Sequence, residues 1–256
     1  MGSDYAAQFR DVSVVAAYAA RPAYPDGVFS LLGSLAVDEP RVVLELGAGT
    51  GDLTLGLAQH VAHVDAVEPS PAMLDAARRV QLPPSASVRW IASTAEELAI
   101  QETYALAVAA ESLHWMDWGL VLPKLARCLS PRGVLAVVTT RVLTDVPWRD
   151  ALRDIITRYS TNRAYVDYDI IEELTRRGLF EPGGSRQVTS APITQTTAEY
   201  VESFHSRNGF SRERMTPEAA HAFDTEVTAL VAAHSGDGSV VSPVRATVVW
   251  GRPLSP

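Results

Sequence analysis

Residues 42–54 read V-V-L-E-L-G-A-G-T-G-D-L-T, and few folds accommodate such a run. Val42, Val43, Leu44 and Leu46 form an apolar, β-branched-rich stretch with the length of one buried parallel strand. The chain then breaks into Gly47-Ala48-Gly49-Thr50-Gly51, and a helical pattern starts near Asp52. A turn with glycine at alternate positions carries almost no side-chain bulk, so a ligand can lie against bare backbone. The helix that follows offers free N–H groups and the positive end of its dipole to an anionic group such as a carboxylate. A nucleotide-type ligand is the first expectation.

Spacing selects among nucleotides. A dinucleotide fingerprint, G-x-G-x-x-G, would need a third glycine where Asp52 stands. A P-loop needs a lysine directly after its last glycine, and the only lysine of the chain is Lys124. The pattern present is E-x-G-x-G-x-G, with Glu45 as the penultimate strand residue. A second strand pattern, His63-Val64-Asp65-Ala66-Val67, ends at Glu68. An acidic side chain about 20 residues past the glycines, at the tip of the second strand, can accept both hydroxyls of a ribose. A free ribose diol without a phosphate clamp points to an adenosine carrying something other than a diphosphate.

Glu45-Leu46-Gly47-Ala48-Gly49-Thr50-Gly51 and Val67-Glu68-Pro69-Ser70 resemble the first two motifs of the class I S-adenosylmethionine-dependent methyltransferases. The resemblance covers most of the chain. It implies a doubly wound, mostly parallel seven-stranded α/β sheet of Rossmann-like type. It further implies S-adenosyl-L-methionine as cofactor, S-adenosyl-L-homocysteine as product, and Glu45, Gly47, Ala48, Gly49, Gly51, Glu68, Pro69 and Met73 among the cofactor-binding residues. A βα turn without a ligand is the plain alternative.

The remaining pattern agrees with an α/β class. Helical segments are expected over 12–20 and, capped by Asp26, over 26–35, separated by the break Arg21-Pro22-Ala23-Tyr24-Pro25. A helix over 52–60 and a helix opened by Ser70-Pro71 follow the first two strands. Strands are expected over 87–91, 104–109 and 134–139, with a helix over 120–129 that ends before Ser130-Pro131-Arg132-Gly133. Such alternation means a parallel sheet with right-handed crossovers. After Pro147 the alternation stops. Helical patterns over 147–159, 168–178, 197–206 and 217–233 surround an extended stretch at 186–194, and a last strand over 244–250 is expected at the sheet edge. The expected division is a cofactor-binding core at 1–140 with 240–256, its helices at 1–38 covering the site. Residues 141–239 form a substrate-binding cap.

Composition narrows the partners. With 256 residues, 47% hydrophobic and 20% charged, the chain is ordinary globular material. A net charge of −8 and scattered arginines argue against a nucleic-acid surface. The start of the chain has no secretory pattern and no apolar run is long enough to span a bilayer, so a cytoplasmic protein without membrane partners is expected. One cysteine, Cys128, leaves no disulfide framework and no Cys-based zinc site, and reads as a small buried hydrophobe in a helix. His60, His63, His205, His221 and His234 show no ligand spacing, so no metal is expected. Arginine almost displaces lysine, the mark of a GC-rich bacterial genome. A monomer or homodimer is expected.

Ala109-Ala110-Glu111-Ser112-Leu113-His114-Trp115-Met116-Asp117 resembles the His-Trp signature of the trans-aconitate methyltransferase-like branch, whose members act on small molecules. The resemblance implies Ala110 and Glu111 near the methionine end of the cofactor and Leu113 against its adenine. His114 and Trp115 would be the catalytic pair toward the acceptor. His114 would take a proton from a hydroxyl or amine, and Trp115 would donate an indole N–H while walling a dry pocket. The plain alternative is a packed His-Trp pair. The segment Thr94-Ala95-Glu96 would hold the adenine, with Thr94 replacing the usual acidic acceptor; equally, Thr94 reads as an N-cap paired with Glu97. Tyr18, Arg21 and Tyr24 belong to a Y-x-x-R-P-x-Y-P pattern seen in such enzymes. Arg21 would hold the cofactor's carboxylate, Tyr18 would close over it and Tyr24 would touch substrate. Phe204, Arg207 and Phe210 complete the expected substrate pocket.

A sulfonium methyl is already activated, so the protein's task is to align the acceptor and exclude water. Charge is neutralised when an anion attacks a sulfonium, which favours a low-dielectric pocket and carboxylate or phenolate acceptors. The leading expectation is O-methylation of a carboxylate or hydroxyl on a small metabolite of a biosynthetic (secondary-metabolism) type. The alternatives are an N- or C-methyltransferase with the same cofactor site and a non-methylating, cyclase-type member.

Overall fold

The computed structural model describes residues 11–141, 146–163 and 168–255. They fall into two compact units, each discontinuous in sequence.

The sheet unit comprises the described parts of Tyr24–Thr140, Asp167–Thr189 and Arg245–Pro256. Its strands are β1 (Val42–Leu46), β2 (His63–Glu68), β3 (Val88–Ala92), β4 (Tyr104–Ala110) and β5 (Leu129–Arg141), joined by parts of β6 (Phe180–Thr196) and β7 (Ser239–Pro253). The seven-stranded order is β3-β2-β1-β4-β5-β7-β6, and the pairs β1·β2, β1·β4, β2·β3 and β4·β5 are parallel. Alternate residues of one strand serve different cores. Leu44, Leu46, Ala107, Ala109, Leu135 and Val137 lie in one apolar cluster with Val121, Leu122 and Leu125 of α5 (Trp118–Cys128) and Leu174 of α7 (Ile170–Arg176). Val43, Val64, Ala66, Val108, Ala136 and Val138 lie in another, with Val28 and Leu32 of α2 (Asp26–Leu35) and Leu53 and Leu57 of α3 (Asp52–Leu57). Side chains alternate across a pleated strand, so two clusters mean two covered faces. That is why β4 reads as an unbroken apolar run.

β7 is not the edge strand expected from the sequence: it lies between β5 and β6, and β6 is the edge. Composition explains the order. Val240, Val244, Ala246 and Val248 of β7 are buried in alternation. β6 is mostly exposed and carries Pro182, Gly183, Gly184 and Pro192, residues suited to an edge. β5 begins earlier than expected, at Leu129, but its pairing jumps from Tyr104↔Leu129 to Leu106↔Val134, so Ser130-Pro131-Arg132-Gly133 interrupts the ladder. Asp26 opens α2 as its first residue while Pro25 stands at the cap position, so Asp26 adds first-turn charge and is not the cap.

The second unit comprises the described parts of Met1–Ala23, Arg141–Val166 and Ser190–Val244. It holds α1 (Val12–Ala17), the 3-10 turn Tyr18–Ala20, α6 (Arg149–Tyr159), α8 (Thr197–His205) and α9 (Pro217–His234). The expected division differs here in two places. Residues 11–23 belong with α8: Arg21 donates from Nε to Ser206 Oγ at 2.7 Å, and Arg214 donates from Nε to Asp11 at 2.9 Å. Residues 167–189 belong with the sheet, because Leu174, Leu179 and Phe180 fill its first apolar cluster.

Candidate active site

The bend after β1 takes the form its glycines imply. Gly47, Gly49 and Gly51 all have positive φ (76°, 57° and 89°), a region L-residues with a Cβ rarely occupy. Space requires glycine at Gly47 as well, where a Cβ would lie 2.5 Å from Ser112 Cβ. The amides of Gly47 and Ala48 donate to Val67 O at 2.8 and 3.0 Å, which anchors the bend to the tip of β2.

Glu68 closes the bend from that tip. Its Oε2 accepts from Gly49 N at 3.0 Å and its Oε1 from Ser70 N at 2.8 Å. Burial pushes its pKa up, and the two backbone N–H bonds oppose that rise. Two of roughly four acceptor positions on the carboxylate are thereby used, which leaves capacity for a diol. Pro69 is exposed beside it, and Ser70 caps α4 (Pro71–Arg79), in which Met73 is fully buried.

Glu45 is 1% exposed, and its Oε2 accepts from Thr54 Oγ1 at 2.6 Å. Burial raises its pKa to about 8, against the Thr54 bond, with the charges of Asp52 and Glu68 adding to the rise. Among the described residues neither Glu45 nor Glu68 forms an ion pair.

After β3, the stretch Thr94–Leu98 forms a turn rather than a helix: Thr94 Oγ1 accepts from Glu97 N at 3.1 Å. Lys124 on α5 braces it, donating from Nζ to Ala95 O and Leu98 O at 3.2 and 3.1 Å and also to Glu96 O. The Glu96 carboxylate accepts from Asp117 N at 2.7 Å, ahead of the α5 cap in which Asp117 binds the amides of Gly119 and Leu120. Lys124 is a contributor the sequence reading left without a role. Its being the sole lysine was the only signal, and that signal carries no partner.

At the end of β4, Ala110 and Glu111 are half-buried, and Leu113 is buried in the cluster that also contains Ala95 and Leu98. A 3-10 turn, Leu113–Trp115, presents His114 and Trp115, whose ring centroids lie 4.5 Å apart. Ser112 Oγ donates to Leu46 O at 2.5 Å, joining this turn to β1, and Trp118 Nε1 donates to Leu113 O at 2.8 Å. Burial lowers the His114 pKa, with the Glu111 charge opposing; the imidazole is therefore neutral at neutral pH and able to accept a proton. The Glu111 carboxylate accepts from Thr140 Oγ1 at 2.9 Å and from Thr140 N. No sequence signal gives Ser112 or Thr140 a role, because a serine and a threonine at strand ends have no distinguishing pattern.

The other expected site residues are distributed between the two units. Tyr24, in the sheet unit, is half-buried and meets Phe29 edge-on, with centroids 6.5 Å apart. Tyr18, Arg21, Phe204, Arg207 and Phe210 belong to the second unit. Arg21 lies over the Tyr18 ring at 3.8 Å and donates to Ser206 Oγ and to its backbone O. Phe204 and Phe210 are buried in the apolar cluster of that unit, packed on Phe223. Arg207 is half-buried in the loop after α8. Among the described residues no group of three or more His, Cys, Asp or Glu is placed to hold a metal ion, and no helix is long and apolar enough to cross a membrane.

The chain is similar to known methyltransferases. A family model described as a methyltransferase domain matches residues 43–133. An uncharacterized methyltransferase-like protein of Schizosaccharomyces pombe is 34% identical over 205 residues, covering 78% of this chain and 76% of that protein. An uncharacterized methyltransferase of Mycobacterium tuberculosis is 38% identical over 148 residues, so the match spans 57% of this chain but only 58% of the relative's length. A trans-aconitate 2-methyltransferase of Methylobacterium radiotolerans is 36% identical over 143 residues, 48% of this chain and 52% of that enzyme. Among solved structures, a candidate type II methyltransferase from Anaeromyxobacter dehalogenans superposes with a TM-score of 0.66 at 24% identity, covering 91% of this chain and 97% of that one. At that identity the likeness is one of fold.

Proposed function

This chain belongs to the S-adenosylmethionine-dependent methyltransferase family, and from that premise we propose that it O-methylates a carboxylate or hydroxyl of a small metabolite. The observation that carries the reading is the conjunction, within one unit, of the Glu68-closed glycine bend and the His114–Trp115 turn. Ser112 joins the two through its bond to Leu46 O.

The residues fit the donor. Glu68 has acceptor capacity left for the ribose hydroxyls, and the bend is lined with backbone where side chains would intrude. The Glu68 carboxylate, held by the Gly49 and Ser70 amides, gives the bend an anionic group that suits a cationic ligand. The turn of Thr94, Ala95 and Glu96, braced by Lys124, is assigned to the adenine. When bound, this cofactor supplies an electrophilic methyl group on a sulfonium.

The chain's own residues do the rest. Neutral His114 takes the proton of a hydroxyl acceptor onto its free ring nitrogen as the oxygen's electron pair is committed to the new bond. A carboxylate acceptor needs no such transfer, and there His114 serves only to orient. Trp115 walls the acceptor side and keeps water from it. Positioning, rather than activation of the methyl, is the protein's main contribution.

The test is incubation with methyl-labelled donor and a panel of small carboxylic acids, phenols and amines, for the native protein and for His114→Asn. Label in esters or aryl ethers supports the reading, with a phenol rate that falls in H114N while the carboxylate rate holds. Label only in amines or at carbon overturns O-methylation.

A further inference from the structure

Among the described residues Glu111 is the one non-glycine residue at positive φ, 54°. Glycine would adopt that backbone freely, whereas a glutamate persists there only when its surroundings fix it. Here they do. Its N–H donates to Val138 O at 3.0 Å, and its carboxylate is clamped by the Thr140 hydroxyl at 2.9 Å and by the Thr140 amide. We propose that Glu111 is a positioning residue for His114. Held across the tips of β4 and β5, it fixes the turn that carries the imidazole and keeps a carboxylate charge beside that ring.

The rest of the turn is tied down in succession. Ser112 bonds to β1 through Leu46 O, Trp115 N donates to Ser112 O at 3.0 Å, and Leu113 O accepts the Trp118 indole. His114 thus rides on a turn anchored to three elements, and its ring lies 4.5 Å from the Trp115 ring. Among the described residues Glu111 is the charged group that acts on His114; it opposes the burial that favours the neutral ring. A glycine at 111 would accept the backbone but supply neither clamp nor charge.

The inference rests on His114 being the proton acceptor proposed above, yet its test reads the ring rather than turnover. The experiment is an NMR titration of the His114 ring in the full chain, for the native protein, Glu111→Gln and Thr140→Val. Gln can still accept from Thr140 and so preserves the clamp without the charge. The His114 midpoint is expected to move down in E111Q by about threefold or more in acid constant. It should also move in T140V, which loosens the clamp while leaving residue 111 itself unchanged, so that variant serves if E111Q does not fold. Unmoved midpoints in folded variants overturn the inference. Normal phenol turnover in H114N, alongside a moved midpoint in E111Q, removes the base role and leaves the clamp standing.

Discussion

Gly49 N donates to Glu68 Oε2 at 3.0 Å, so the middle glycine of the bend after β1 is tied to the carboxylate at the tip of β2. Two loops far apart in sequence thereby become one rigid floor before any ligand arrives. Replacing Glu68 with Ala removes the acceptor of both Gly49 N and Ser70 N. Hydrogen exchange at those two amides is expected to accelerate by an order of magnitude or more, about 1.4 kcal/mol of local opening, while core amides of β1 keep their protection. Unchanged exchange would show that the tie contributes nothing.

Gly47 faces a different constraint. A Cβ there would sit 2.5 Å from Ser112 Cβ on a backbone at φ 76°. Gly47→Ala is therefore expected to destabilise the fold by about 1–3 kcal/mol, visible as a lower thermal midpoint. The double variant with Ser112→Gly should recover part of that loss, since it removes the clash but not the strain.

Glu45 makes stability depend on pH. Its pKa is about 8 in the fold, above the ordinary carboxyl value of 4.5 that the unfolded chain shows. The folded state thus holds the extra proton between those values. The stability this contributes is complete below 4.5 and is lost as pH rises through 8. Glu45→Gln is expected to flatten urea-derived stability over that window and to be the more stable form at pH 9, by a gain on the order of a few kcal/mol. A parallel pair of curves would contradict it.

Asp65 works in the opposite sense. It is fully buried, receives two bonds from Arg89 at 2.7 and 2.5 Å, and accepts from Tyr104 Oη at 2.7 Å and contacts His63 Nε2 at 3.0 Å. Burial alone would raise its pKa, but these partners outweigh it and hold it below the usual value. Its stabilisation is present at neutral pH and lost as pH falls through the lowered value. Asp65→Asn is expected to cost about 2 kcal/mol at pH 7, discounted because Arg89 is half exposed, and to cost less at pH 3. Denaturant titrations at the two pH values measure both.

The parts of this molecule that local chemistry dictates were legible in its sequence. An apolar, β-branched-rich stretch marks β1, an unbroken apolar run marks β4, and three alternating glycines mark the bend. The place of β7 was not legible, because strand order depends on which neighbour offers the more apolar edge. That comparison is made between β7 and the proline- and glycine-bearing β6, not within either. Arg21 shows the same limit at a side chain: its bond to the Ser206 carbonyl joins residues far apart in sequence and has no local signal. The packing of Phe204 on Phe210 is likewise tertiary, because aromatic rings suit pockets and cores alike. The Glu111–Thr140 clamp has no sequence signal, since positive φ at a glutamate is set by tertiary bonds.

The central claim is that the Glu68-closed glycine bend is the methyl-donor site. Calorimetric titration of the full chain with S-adenosyl-L-homocysteine, native against Glu68→Ala, tests it most directly. Saturable binding to one site per native chain is expected, weakened by about tenfold or more in E68A from the lost bonds to the ribose. No binding by the folded native protein, or equal affinity in both proteins, would contradict it.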